Sequence, residues 1–381
     1  MLEREAYMWL GHLTTFRQGD IEKLFLLFGS AGEIYKNLYE DRAILQKLTD
    51  EDILKETTAR EILNDDVLVW EKDLNKRMKD AGIMVTTPAD MDYPTRLRTL
   101  TDKPLCIYYR GDIGIAEAQN IVAIIGSRRV SGYGMQATEE FSRELAYKGI
   151  TIISGMAYGV DGKAHRSCLA AGGKTIAVLG GGVDICYPRT NMDIYFEMCE
   201  SHLVLSEYEP GEAHKTLHFP ARNRIISGMS DGVLVTEAAL KSGTIITVDR
   251  ALEQGKTIYA VPGRMSDIMS KGTNNLIKQG AMLVDSPADI IRDILGIEMT
   301  ENKKLKAKNK SPENIKEAPE QMHLSPKEKD MIGHLGYEPV FVDELIRFND
   351  MNISDTLSVL RSLETKGLIS SVEHSYYVLK R

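Results

Sequence analysis

Two short stretches carry the residue types that hold a phosphate backbone. In IVAIIGSRRVSGYG an apolar run ends at Ile125, glycine follows at 126, and a helix is predicted to begin near Gly134. Glycine lets an anion approach the backbone, and the unpaired N–H groups of a helix start favour negative charge. Arg128 or Arg129 would add charge-assisted contacts. The second stretch, HKTLHFPARNRIISGMSDG, places Pro220 as the first residue of a predicted helix, with Arg222, Asn223 and Arg224 in its opening turn. His218 and Phe219 stand just before it. An aromatic ring beside paired arginines suits a single strand, whose bases stack while cations track its backbone. Plainer readings stay open: a strand-to-helix turn with solvated arginines, and Phe219 as a hydrophobic staple.

Three more glycine-rich segments follow strands. In SGMAYGVDGKAHRSCLAAGG, Asp161 is expected to cap a helix and His165 to pack on it, with acid–base chemistry as the alternative. In TIAVLGGGVDICYPRTN, three glycines admit a close neighbour, either another loop or a ligand, and Lys174 and Arg189 flank them. In VLVTEAALKSGTIITVDRAL, Ser242 and Thr244 are placed to touch a phosphate, and Lys241 adds charge. Glu237 there is a helix cap or a catalytic acid. The patterns GxGxxG, GxxxxGK[ST] and GxSxG are absent, as is any cluster of metal ligands. No metal and no cofactor are expected.

These segments need a frame that aims them at one place. Short apolar runs recur at 121–125, 151–153, 175–179, 203–205, 233–235, 257–261 and 281–284, several alternating with helical stretches. Continuous Val/Ile/Leu runs suit strands buried on both faces. The pattern predicts an α/β fold, an extended Rossmann-like, doubly wound and mostly parallel sheet over 118–297, with ligands at the carboxyl ends of its strands. Residues 1–85 read as helical, with apolar spacing at 22–27, 43–54 and 67–78, the last stopped by Gly82. Residues 86–117 carry three prolines and read as a connecting segment with one strand at 106–109. A lysine-rich linker is expected over 298–321. Over 322–381, a capping box at Ser325, helices at 340–348 and 354–366, and a terminal two-stranded ribbon suggest a winged helix.

The chain has 381 residues, 43% apolar and 27% charged, with a net charge of −8. That balance excludes a protein coated in positive charge but not a local basic groove. Residues 118–296 hold 18 Lys and Arg against 19 Asp and Glu, so the acidic excess sits mostly elsewhere. No apolar run is long enough for a membrane span, and the first residues, MLEREAYMWL, lack the plan of a signal peptide. Cys106, Cys168, Cys186 and Cys199 are scattered and read as reduced thiols. A cytoplasmic protein is expected.

Six segments in collinear order resemble the DNA-processing protein A (DprA, or Smf) family: GSRRVSGYG at 126–134, SGMAYGVDGKAH at 154–165, TIAVLGGGVDICYP at 175–188, SEYEPG at 206–211, FPARNRIISG at 219–228, and TEAALKSGTIITVDRALEQGKTIYAVPG at 236–263. The whole chain is similar to the family's layout of a helical SAM-like front, a Rossmann-like core and a winged-helix tail. The resemblance implies a homodimer that binds single-stranded DNA, protects incoming strands and helps load the recombinase RecA during natural transformation. General recombination is the other setting. No catalytic activity is established for the family. By the resemblance, DNA contacts centre on Ser127 and Arg128 after Gly126, and on Arg222, Asn223 and Arg224. Nothing in the site reads bases, so little sequence preference is expected. The competing reading is a nucleotide-cleaving Rossmann enzyme of the lysine-decarboxylase-like group, suggested by EAALKSGT after Glu237 and weakened by the missing PGGxGT. The predicted reading helix of the tail sets only Arg361 and Lys366 against Asp355 and Glu364, which favours protein contact over duplex binding.

Overall fold

The computed structural model describes residues 2–16, 18–296, 324–335, 340–349, 351–371 and 376–379. They belong to two compact units, Met1–Glu301 and Asn302–Arg381. The linker expected over 298–321 lies outside the described residues.

The first unit begins with helices α1 (Glu3–His12), α2 (Gln18–Phe28), α3 (Ala31–Tyr35), α4 (Arg42–Asp50), α5 (Glu56–Asn64) and α6 (Val67–Ala81). Ser30, Asp41 and Asp66 cap α3, α4 and α6 by accepting bonds from first-turn N–H groups. Gly82 ends α6 at φ 61°, while Ile83 N donates back to Met78 O at 2.8 Å.

Nine strands form one sheet: β1 (Met84–Thr86), β2 (Ile107–Gly111), β3 (Ile121–Ile125), β4 (Thr151–Ser154), β5 (Thr175–Val178), β6 (Leu203–Ser206), β7 (Gly232–Val235), β8 (Thr257–Ala260) and β9 (Met282–Leu283). Their order is β1-β2-β6-β5-β4-β3-β7-β8-β9. From β6 to β9 every pairing is parallel; β2 runs antiparallel to β6, and β1 to β2. The helices of this part are α7 (Thr95–Arg98), α8 (Gly132–Tyr147), α9 (Val160–Ala170), α10 (Met192–Ser201), α11 (His218–Met229), α12 (Gly243–Glu253), α13 (Lys271–Lys278) and α14 (Pro287–Leu295).

Period-two alternation sends neighbouring residues of β3 to opposite faces. Ile121, Ala123 and Ile125 meet a core holding Ile225 and Met229 of α11 and Val248 of α12. Val122 and Ile124 meet one holding Phe141 and Leu145 of α8 and Ala164 of α9. Both faces are covered, hence the unbroken apolar runs. The chain lays β3 to β6 outward on one side, then returns to place β7 on the other side of β3. That reversal opens the crevice at the carboxyl ends of β3 and β7 where such sheets take ligands.

The stretch 86–117 does more than connect. With Met84 to Thr86 it extends the sheet by two antiparallel strands, because Tyr108 and Tyr109 pair with Ser206 and Leu205 of β6. The helical front shares a continuous core with this edge: Trp9, Leu10 and Ile34 belong to the same cluster as Tyr108, Ala177 and Val204.

Glu209, in the loop after β6, ties that front down. Its carboxylate takes bonds from the Trp70 indole N–H and from His12 Nδ1, each at 2.9 Å, and Arg77 Nη2 lies 3.4 Å away. Arg77 also donates to the Pro210 carbonyl. Burial opposes charge on the His12 ring, but the bond to Glu209 and the charges of Glu209, Asp65 and Glu61 outweigh it and raise its pKa above 6.5. Burial likewise opposes charge on Glu209, and its bonds to His12 and Trp70 with the charges of His12 and Arg77 hold its pKa below 4.5. A raised histidine stabilises the fold fully below its unfolded value and loses that contribution as pH rises through the folded one. A depressed carboxylate loses its contribution as pH falls through its folded value. The latch is therefore strongest between these limits. Melting temperature measured from about pH 6 to pH 8 is expected to fall more steeply for the wild type than for Glu209→Gln, and parallel profiles would show that the latch is inert.

The second unit contains α15 (Pro326–Gly333), α16 (Val342–Asn349) and α17 (Ile353–Thr365) with strands β10 (Val340–Phe341), β11 (Ile369–Ser371) and β12 (Tyr376–Leu379) in order β10-β12-β11. Ser325 and Glu328 form the expected capping box. The ribbon gains β10 as a third strand, and Met331, Leu345, Leu360 and Ile369 fill the core.

Candidate nucleic-acid interface

The turn after β3 is stitched from both sides. Ser127 N donates to Glu237 O at 2.8 Å, and Ser127 O accepts from Val160 N at 3.2 Å. Ser127 Oγ accepts from Arg129 N at 3.0 Å. Gly126 is required by packing: a Cβ there would lie 2.6 Å from Val160 Cγ2 and 2.9 Å from Glu237 O. So tight a turn pushes Arg128 and Arg129 outward, and both are exposed. The Arg128 guanidinium lies 4.9 Å from the centroid of the Phe219 ring. This contact joins the two stretches that carry the phosphate-binding residue types.

Phe219 is half-buried, beside Gly180, where a Cβ would come within 3.2 Å of its ring. Helix α11 starts at His218, two residues before Pro220, so Phe219 sits inside the first turn. Three further rings gather around it. Tyr187 and His214 stack on each other at 3.9 Å and lie 6.1 and 6.2 Å from Phe219. Tyr158 meets Tyr187 edge-on at 6.1 Å. The four rings come from the loops after β4, β5 and β6 and from the start of α11. Sequence reading missed Tyr158, Tyr187 and His214. The available signal was an aromatic or histidine in each of the loops after β4, β5 and β6.

The arginines of the second stretch are placed differently from the expectation of open cations. Arg222 is 3% exposed, and its Nη1 donates to Gly155 O at 2.9 Å. Burial pushes its pKa down to about 10, against the pull of the Asp161 charge. Asn223 is half-buried and its Oδ1 accepts from Arg222 Nε at 3.3 Å. Arg224 forms a two-pronged pair with Glu207, at 2.8 and 2.6 Å, and its Nε donates to Asp102 O at 2.8 Å. Both guanidinium groups are thus committed to internal partners.

Lys174 lies at the opposite edge of the sheet from Arg128. It immediately precedes β5, at the amino end of the strand, and its Nζ donates to Ser201 O at 3.2 Å, capping the end of α10. A four-residue strand of about 3.3 Å per residue separates it from the glycine loop at the other edge of the sheet. Lys241 is exposed just before α12, on the carboxyl side of β7, the same edge as Arg128.

The start of α8, expected to hold phosphate, is filled from within. Glu237 is 1% exposed, and its carboxylate accepts from Ser131 N at 2.7 Å and from Ser131 Oγ at 2.6 Å. Gly134 makes room for it, since a Cβ there would lie 2.7 Å from Oε2. The Glu237 side chain already occupies that helix terminus. His165 is fully buried with Nδ1 2.7 Å from Thr175 Oγ1, and burial, with the charges of Arg222 and His202, pushes its pKa down to about 3. Asp161 is buried in the first turn of α9 and accepts from Ala157 N at 3.3 Å. Of the three glycines after β5, Gly181 and Gly182 serve a neighbouring loop, with Gly182 N donating to Glu212 O at 2.8 Å, and Gly180 faces the Phe219 ring. Among the described residues, no group of three or more His, Cys, Asp or Glu is arranged to hold a metal ion, and the four cysteines are buried and free.

The family model described as DNA recombination-mediator protein A matches residues 84–295, and that described as the DprA winged helix domain matches 316–373. The DNA processing protein DprA of Streptococcus pneumoniae is 42% identical over 201 residues, which are 53% of this chain and 71% of that protein. An X-ray structure of DprA from Streptococcus pneumoniae superposes with a TM-score of 0.65 at 32% identity, covering 77% of this chain and 98% of that one. A DprA structure from Helicobacter pylori, reported for its single-stranded DNA binding mode, superposes with a TM-score of 0.52 at 33% identity over 57% of this chain and 98% of that one. With a family model covering more than half of its length and a relative 42% identical over 71% of that protein, the chain belongs to the DNA recombination-mediator protein A, or DprA, family.

Proposed function

We propose that this chain binds single-stranded DNA along the carboxyl edge of its parallel sheet, with Arg128 and Phe219 at the centre. The observation that carries the reading is the Arg128 guanidinium over the Phe219 ring, which puts a cation for phosphate beside a face for a base. Lys241 supplies further charge on the same edge. Arg222, Asn223 and Arg224 act from beneath, as the frame that fixes α11. The Helicobacter pylori relative supports the ligand class. On the family resemblance, the proposal extends to a cytoplasmic homodimer that protects incoming strands and helps load RecA, in natural transformation or recombination. It binds without strong sequence preference, because stacking and phosphate contacts are shared by all bases.

The protein acts as a binding module rather than a nucleotide-cleaving enzyme. Glu237 and His165, the candidate acid and base, are buried and engaged. The tail favours protein contact: α17 turns Ile353 and Leu357 to solvent, while Lys366 Nζ donates to Glu328 at 2.6 Å.

Fluorescence anisotropy with a labelled oligonucleotide, single-stranded and duplex, at several salt concentrations tests the reading. The single strand is expected to bind more tightly, with log affinity falling by roughly 0.7 per decade of salt for each phosphate neutralised. Equal affinity for the duplex, or no binding to either, would overturn it. Release of free base from nucleoside monophosphates would overturn the non-catalytic part.

A further inference from the structure

We propose a second nucleobase subsite, formed by Tyr158, Tyr187 and His214, that carries a DNA strand onward from Phe219 across the carboxyl ends of β4 and β5. This inference rests on the single-stranded DNA reading above.

Tyr187 and His214 stack at 3.9 Å and 24°, which makes a two-ring shelf. The shelf adjoins Phe219, whose centroid is 6.1 Å from Tyr187, and Tyr158 closes its far side edge-on at 81°. Tyr158 is 44% exposed and Tyr187 37% exposed, and His214 is exposed as well. Rings from three separate loops converge at the surface without filling a core, on the same edge as Arg128.

The shelf is also preorganised. The loop carrying His214 lies against Gly181 and Gly182, where added Cβ atoms would come within 2.9 Å of His214 N and 2.6 Å of Glu209 O. Gly211 N donates to Asp184 Oδ1 at 2.9 Å, and the Glu209 latch holds the start of the same loop. Little ordering is left for a ligand to supply. An exposed aromatic face accepts any base by stacking, provided that base is unpaired and its own face is open. The subsite therefore takes successive bases of one strand and rejects a duplex, whose base faces are covered.

Full-length wild type, Tyr158→Leu and Tyr187→Leu, tested on a ten-nucleotide single strand at several salt concentrations, decide the matter. Each replacement is expected to weaken binding roughly fivefold or more, with the salt slope unchanged because no cation is lost. Photocrosslinking of the wild type to strands carrying 5-iodouracil at successive positions is expected to give adducts on Tyr158 or Tyr187, next to the position that marks Phe219. This arm holds even where a substitution lowers the melting temperature. Unchanged affinity in both variants, or adducts confined to Phe219, would overturn the subsite. A wild type that binds no single strand would instead sink the underlying function.

Discussion

Replacing Phe219 by alanine is expected to weaken binding of a short single strand by roughly 5- to 150-fold, the range given by about 1–3 kcal/mol of stacking per base. The ring is half-buried at the first turn of α11, with one side against Gly180 and the Arg128 guanidinium 4.9 Å from its centroid. Removal takes away the face on which a base would lie and also the platform under Arg128. Arg128→Ala is expected to act through a different variable. It removes a phosphate contact, so the slope of log affinity against log salt should become shallower by roughly 0.7. Phe219→Ala should leave that slope alone. Because ring and cation touch, the double variant should lose less than the sum of the singles. The shortfall should be about 0.5–1 kcal/mol, the worth of an exposed cation–π contact. A Phe219→Ala protein that melts like the wild type and binds the strand equally well would remove the ring from the interface.

What the sequence made legible, and what it hid, follows from the range of each interaction. The parallel strands were readable because burial on both faces writes itself as unbroken runs such as Ile121 to Ile125. Gly82 and Ser325 were readable because caps act within a few residues, whereas the glycine after β3 was visible without its reason, the packing of Val160 and Glu237 against it. Strand β1 was not: three residues with one exposed carry no period, and their pairing with Tyr108 lies beyond a proline-rich stretch. Arg222 and Arg224 showed their charge in sequence but not their partners, Gly155 and Glu207, which reach them only through the fold. Glu237 read equally as a cap or an acid until Ser131 was placed beside it. Lys174 likewise showed its charge but not its partner: the predicted strand at 175–179 already separated it from the glycine loop, and the bond to Ser201 at the amino edge appears only in the fold. The ring cluster had no spacing to betray it, because its four members come from three loops and the first turn of α11.

Arg224→Ala is expected to damage the fold more than the interface. The guanidinium and the Glu207 carboxylate are 14% and 16% exposed and meet through two bonds, with Asp102 Oδ2 a further 3.5 Å away. Burial works against the charge, but Glu207, by charge and hydrogen bonds, and the charge of Asp102 raise the arginine's pKa above its ordinary value. Deleting one partner leaves the Glu207 carboxylate largely out of water with nothing to compensate it. Such losses cost about 3–5 kcal/mol for a fully buried pair. The thin exposure here argues for the lower end, near 3 kcal/mol, and a drop in melting temperature of roughly 5–10 °C for a unit of this size. Glu207→Gln should give a comparable drop, since it strands the cation instead. Arg224→Lys should not restore the wild type, because an ammonium cannot span both carboxylate oxygens while still reaching Asp102 O. The strand-binding readout separates this assignment from a direct role. A frame residue lowers affinity in step with the loss of structure and leaves the salt slope of the folded protein intact. If Arg224→Ala instead melts with the wild type, binds the strand more weakly and loses roughly 0.7 of slope, the arginine leaves Glu207 to grip a phosphate, and the pair is a resting contact that the strand displaces.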